Sequence, residues 1–303
     1  MNYNMKKIIF IILFCASFYS YGNSNYRASA DTAKTDSTKT TEKYRKIKFG
    51  VDYANASTFN GRKDTSVRYT VSPSLEYIGK LGFFSKLSLV HVPATKKIFD
   101  ELSADIGWNF DFSDKWDGSI GYSHYFFDTK AARINAAIAN RLDANVGYDW
   151  NLLYSFLDIE WDGGNNKFPV KAPSNPQKTL LVAKKTNDVF VTFSNSHEFL
   201  FDDLLKKSDR ITITPNADIL LGTQNFLITY KGKTDVAFKK YQQQAAKFNL
   251  TGYMLYLEMK YKIKKLSFEL IPNYIFPKNV PPGESTKPFF VMNAGIYFTF
   301  KHK

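Results

Sequence analysis

Four histidines, His91, His124, His197 and His302, are the side chains best suited to acid–base or metal chemistry in this chain, and two of them follow a serine. Ser123-His124 and Ser196-His197, the latter preceded by Asn195, could pair a hydroxyl nucleophile with a base. That chemistry needs the base within hydrogen-bond reach of the hydroxyl, which adjacent positions do not by themselves provide, so both histidines are expected to be rim residues. No two histidines have ligand spacing, and the one cysteine, Cys15, lies in an N-terminal segment expected to be removed, so no metal site is expected. No glycine-rich phosphate loop or calcium loop of recognised spacing occurs. The sequence therefore predicts no catalytic residue, no metal and no cofactor.

The remaining candidates are charges, and their use depends on the elements that carry them. The chain has 303 residues and a formal net charge of +13, with 27 Phe, 19 Tyr and 4 Trp. So many large apolar rings exclude a disordered chain. With 16 Gly and one Cys, collagen-like and disulfide-stapled scaffolds fail too. The single continuous apolar run, Ile8 to Tyr19, is shorter than the about 20 residues a membrane-spanning helix needs. Lys6 and Lys7 precede it and Ser20-Tyr21-Gly22 follows, so residues 1–22 read as a secretory signal peptide, with a second cleavage option after Ala30. Cys15 sits behind Phe14, where a lipoprotein site wants a small residue, so a mature chain without thiol or lipid anchor is expected. Residues 23–46 are rich in Ser, Thr, Asp and Lys and read as a disordered leader; the folded part is expected over residues 47–303.

From Ile47 onward the apolar residues recur with a period of two. In the last segment Phe290, Met292, Ala294, Ile296, Phe298 and Phe300 alternate with Asn293, Gly295 and Thr299. Leu102, Ala104, Ile106, Trp108, Phe110 and Phe112 alternate in the same way with Ser103, Asp105, Gly107, Asn109 and Asp111. Twelve strands are expected, near 46–54, 67–79, 82–93, 101–112, 116–127, 143–150, 152–161, 188–196, 209–221, 249–262, 265–277 and 288–300. Short connections such as Lys80-Leu81 and Ile263-Lys264 alternate with longer polar ones, the longest being 162–187 and 222–248. A β-sandwich also alternates its side chains, but this alternation of loop lengths belongs to a meander with two unlike rims. Strands of about 9 to 11 tilted residues cross the apolar layer of a bilayer, and a sheet in hydrocarbon must close on itself. Tyr53, Tyr69, Trp116, Trp150 and Trp161 gather at strand ends, where interfacial girdles sit. The expected fold is all-β: a closed antiparallel up-and-down transmembrane β-barrel of about twelve strands. Pro73, Pro215 and Pro272 count against three of those strands, since a closed ladder has no free edge. Residues 131–140 read as a short helix or loop cap.

In such a barrel the face opposite the apolar one lines a lumen. The residues expected there are Asp52, Glu76, Lys86, Asp105, Asp111, Asp117, Asp149, Asp158, Glu160, Asp218, Glu258, Lys260 and Glu269, a mixed and somewhat acidic set. The positive excess lies in the leader and the long loops, with Lys167, Lys171, Lys178, Lys184 and Lys185 in one and Lys231, Lys233, Lys239, Lys240 and Lys247 in the other. Those lysines suit either attraction to an anionic lipid leaflet or simple solvation. Nucleic acid is not an expected partner, because the aromatics alternate with aliphatics and do not interleave with the basic clusters.

The carboxyl end adds a motif. Asn293, Gly295, Phe298 and Phe300 follow the spacing polar, Gly, hydrophobe, aromatic, and with it the chain resembles bacterial outer-membrane β-barrel proteins of porin-like type, in which the last strand is read by the barrel-assembly machinery. It departs from them in carrying Lys301-His302-Lys303 after the aromatic. The resemblance implies the bacterial outer membrane, a periplasmic leader, and outer-membrane lipids, anionic lipopolysaccharide included, as partners along with the assembly machinery. The function expected is a porin-like channel or a structural barrel of the cell envelope. Two alternatives remain open: a lipid hydrolase of phospholipase or lipid A deacylase type, and a soluble periplasmic β-sandwich binding protein.

Overall fold

The computed structural model describes residues 45–64, 69–93, 98–127, 138–172, 175–224, 247–280 and 285–302. The signal segment, the leader up to Tyr44 and residues 131–137 of the expected loop cap lie outside them. Fifteen strands follow in order: β1 (Arg45–Ala54), β2 (Ser57–Phe59), β3 (Arg62–Asp64), β4 (Thr70–Ile78), β5 (Phe83–Val90), β6 (Glu101–Asp111), β7 (Trp116–Phe127), β8 (Asn140–Asp149), β9 (Tyr154–Ala172), β10 (Asn175–Ser196), β11 (Phe199–Asp202), β12 (Asp209–Gly222), β13 (Asn249–Ile263), β14 (Leu266–Pro277) and β15 (Phe289–His302).

Every neighbouring pair is antiparallel. The ladder runs from β10 through β9, β8, β7, β6, β5, β4, β1, β15, β14 and β13 to β12, and the pairing of β10 with β12 closes it. The result is a closed twelve-stranded barrel. β11 is not an additional wall strand. Ser196↔Asn216 and Phe199↔Ile213 keep one register, so β11 continues β10 past an interruption at His197 and Glu198. Closure leaves no two stacked sheets, which removes the sandwich.

The three awkward prolines sit where one ladder is interrupted. Pro73 pairs with Val51 of β1, but the β4–β5 ladder begins only at Ser74. Pro215 lies opposite the break between β10 and β11. Pro272 pairs with Met292, and the β13–β14 ladder skips from Asn273 to Leu270 around it. A residue without an N–H is tolerated in a closed sheet where a neighbour's acceptor is not waiting for it.

Three features differ from the sequence reading. The first strand begins at Arg45, so Arg45 and Lys46 belong to the wall and not to the leader. The stretch 162–187, expected as a loop, prolongs β9 and β10 into a hairpin paired from Asp162↔Asp188 to Val170↔Leu180 and beyond. Between β1 and β4 a small separate hairpin, β2–β3, turns at Asn60 and Gly61, both at positive φ (45° and 77°), as a two-residue type I′ turn requires.

Candidate functional site: the barrel interior

The outside of the wall is apolar from strand to strand. Ile47, Phe49 and Val51 on β1, Ile106 and Trp108 on β6, Ile120 on β7, Leu142 on β8, Ile159 on β9, Leu255 on β13 and Ile296 on β15 are all exposed. Rings flank this belt at both rims. Tyr53 and Tyr69 lie 6.2 Å apart at one, while Trp116, Tyr148 and Trp150 contact one another in succession at the other, which on the opposite side of the ring carries the T-shaped pair Phe298 and Phe300. A continuous apolar belt between aromatic girdles, on a sheet with no open edge, is the surface a bilayer requires of a spanning protein. This is a membrane-spanning β-barrel. Its short-turn rim, which also holds Arg45 paired with His302, is named the periplasmic rim by the rule that such barrels have short periplasmic turns, and the rim that carries the long β9–β10 hairpin the outer rim.

The inner face of the barrel is polar and ordered by register. One row of directly opposed residues runs from Lys48 to Glu76, Lys86, Asp105, Ser123, Arg141, Asp162 and Asp188, over eight consecutive strands from β1 to β10. Its first half alternates in sign, which is favourable for cross-strand pairs. In its second half Asp162 opposes Asp188, and in the next inward row Asp143 opposes Glu160, so carboxylates accumulate there. Arg141 answers them, with Nε and Nη2 at 2.8 and 2.9 Å from the two oxygens of Asp162 and Nη2 at 2.9 Å from Glu160 Oε1. Its guanidinium also lies 5.6 Å from the Tyr125 ring centre.

All thirteen residues expected in the lumen lie on strand faces opposite the apolar belt. Asp52 accepts a hydrogen bond from the Tyr297 hydroxyl, and Lys48 Nζ lies 4.2 Å over that ring. Lys260 pairs with Glu269 at 2.9 Å. Tyr154 reaches across Gly147 to donate to Asp117 Oδ1 at 2.6 Å. Asp158 and Asp218 are buried on β9 and β12, Glu258 is half-buried on β13, and Asp111 and Asp149 lie toward the periplasmic rim. The sequence reading passed over Arg141, Asp143, Asp162 and Asp188. Asp162 and Asp188 counted as loop edges there, yet both are wholly buried wall residues. The period-two pattern carried inward past Asp143 and outward past Trp161 would have found them.

Two apolar clusters also occupy the interior toward the outer rim, where only polar groups were expected. Phe59 packs with Ile138 and Phe190 against Tyr125, and Met254, Ile275 and Val291 pack with Tyr256 and Phe289. Phe59 belongs to the β2–β3 hairpin, which thus lies within the wall. Its signal in the sequence is Phe59-Asn60-Gly61-Arg62, an Asn-Gly turn of the hairpin type.

The serine–histidine neighbours do not face one another. Ser123 points inward and is buried, while His124 points outward with Nδ1 at 2.9 Å from Asn140 Oδ1, to which the Tyr122 hydroxyl also donates at 2.7 Å. His197 points outward, meets Phe199 edge to face and binds the Leu152 carbonyl. Among the described residues no group of three or more His, Cys, Asp or Glu could hold a metal ion. On β15, Asn293 and Gly295 face inward and Phe298 and Phe300 outward; the Tyr297 ring lies over Gly295, where a β-carbon would collide with it.

No family model matches the chain, and no curated protein matches it. Among solved structures, the NanC porin covers 84% of this chain and 98% of its own at 9% identity and a TM-score of 0.42. The KdgM porin covers 84% and 99% at 9% identity and 0.42, and the outer membrane channel DcaP of Acinetobacter baumannii covers 85% and 96% at 9% identity and 0.31.

Proposed function

We propose that the barrel is a porin-like outer-membrane channel whose lumen favours cations and cationic solutes. The observation that carries this is the inner wall of β7 to β10. Up to the outer rim its inward positions include Asp117, Asp143, Asp158, Glu160, Asp162 and Asp188, with Arg141 as the only base among the described side chains. A pore bounded by low-dielectric walls concentrates the ions opposite in sign to its lining. Asn293, Gly295, Phe298 and Phe300 on the closing strand serve, in this reading, as the assembly signal, and outer-leaflet lipids are the partners of the girdle.

Planar-bilayer recordings of the refolded protein in a potassium chloride gradient test the channel. Openings whose reversal potential has the sign of potassium permeation support it. Chloride-selective openings overturn the cation preference. Absence of openings both in this chain and in one lacking the inward hairpin overturns the channel itself.

A further inference from the structure

We propose that the β2–β3 hairpin is a plug seated across the outer mouth of the barrel, so that it, and not the wall, sets what passes; this rests on the channel reading above. A strand of the wall exposes every second residue to lipid, but this hairpin has no exposed face. Ala56, Ser57, Thr58 and Phe59 are consecutive and all buried, as are Gly61 in the turn and Arg62 beyond it. Burial on both sides of a two-stranded ribbon means that protein surrounds it.

Its contacts come from widely separated parts of the ring. Phe59 meets Phe190 of β10 edge to face, with 5.6 Å between ring centres, and packs on Ile138 just before β8. At the turn, a β-carbon on Gly61 would lie 3.1 Å from the Thr251 carbonyl, 3.5 Å from Leu220 and 3.6 Å from the Gly252 α-carbon, so the turn rests directly on the backbone of β13. At the base, Asn55 accepts from the Met292 N–H at 3.1 Å on β15, and Lys63 lies 5.9 Å from the Phe289 ring centre. The ribbon is rooted between β1 and β4 and reaches Phe190 on β10, five strands around a ring of twelve, so it crosses the bore. Asp162 and Asp188, one step nearer the outer rim than Phe190, are without solvent exposure although their strands line a lumen.

The seat is apolar at Phe59 and a close backbone fit at Gly61, and no covalent link holds the hairpin between residues 55 and 64. It can therefore leave without breaking the wall.

Two measurements on the full chain with Cys15→Ser separate the plug from the channel. In the first, single-channel conductance is compared between that chain and one with residues 56–63 replaced by a short Gly-Ser linker; the conductance is expected to rise at least roughly fivefold as the bore empties. In the second, Ser57→Cys is labelled with a membrane-impermeant maleimide, alone and with Phe59→Ala. Slow labelling that accelerates at least roughly tenfold when Phe59 is truncated is expected of a hairpin held by that side chain. Ser57→Cys reacting as fast as Leu81→Cys, at an exposed turn, overturns the plug. Equal currents with and without the hairpin overturn it too while leaving the channel standing. Silence from both proteins overturns the channel, and the plug with it.

Discussion

Arg141 grips Asp162 with both arms of its guanidinium, Nε and Nη2 each taking one carboxylate oxygen at 2.8 and 2.9 Å, on the inner wall where β8 meets β9. Glu160 shares the same Nη2 and Asp188 faces Asp162 from β10, so the guanidinium stands within a cluster of carboxylates. Arg141→Gln sets these carboxylates against one another without the guanidinium. Removing one partner of a buried ion pair costs about 3–5 kcal/mol, and a loss of that size is expected in urea unfolding of the barrel in lipid vesicles. Arg141→Lys restores only part of it, because an ammonium cannot span both oxygens. An unchanged unfolding midpoint in Arg141→Gln would show that the cluster is solvated.

The apolar belt makes a depth-dependent prediction. Ile106 lies at the middle of β6 with half its surface exposed, and Phe112 lies just beyond the periplasmic end of that strand. Arginine on the lipid face is expected to cost about 2–4 kcal/mol at the midplane and about 0–1 kcal/mol near the interface. Ile106→Arg should therefore lose far more stability than Phe112→Arg in the same vesicle assay. Equal losses would mean that the exterior does not meet hydrocarbon.

Gly147 is required by a neighbour. A β-carbon there would overlap the Tyr154 hydroxyl, which crosses it to reach Asp117. Gly147→Ala is expected to destabilise by about 1–3 kcal/mol through overpacking and loss of that hydrogen bond. Adding Tyr154→Ala should cost less than the two single changes summed, since the clash is already gone. Strict additivity in the double-mutant cycle would refute the contact.

The proline positions predict where another proline fails. Pro215 occupies a ladder interruption, whereas Ala217, two residues on, pairs with Asn195 on one side and Leu255 on the other. Ala217→Pro is expected to lose about 3 kcal/mol or more, read as reduced yield of folded barrel in refolding. Wild-type yield would show that the β10–β12 seam is not hydrogen-bonded there.

The wall was readable because lipid imposes its period on the chain. Trp116–Phe127 falls where the alternation placed it, and the other strands begin or end within a few residues of expectation, apart from the rim end of β9 and β10. There the constraint lapses. Beyond Asp162 and before Asp188 no hydrocarbon demands an apolar face, so Gly163-Gly164-Asn165-Asn166 extends a strand while looking like a loop. The β2–β3 hairpin was hidden for a different reason, since its three-residue strands are enclosed on all sides and bury polar Ser57, Thr58 and Arg62 beside Phe59, which leaves no apolar period to read. The Arg141–Asp162 pair and the β10–β12 closure depend on register between strands, which a single strand's pattern does not carry.

The ribbon filling the bore is drawn from the stretch of chain that follows the very first wall strand, whereas Phe190, Leu220, Thr251 and Met292 on which it rests come much later in the sequence. During biogenesis the stopper is thus in hand before most of the bottle has been blown. Its resting place is made by strands from the second half of the chain, so the seat is whole only in a ring that is whole.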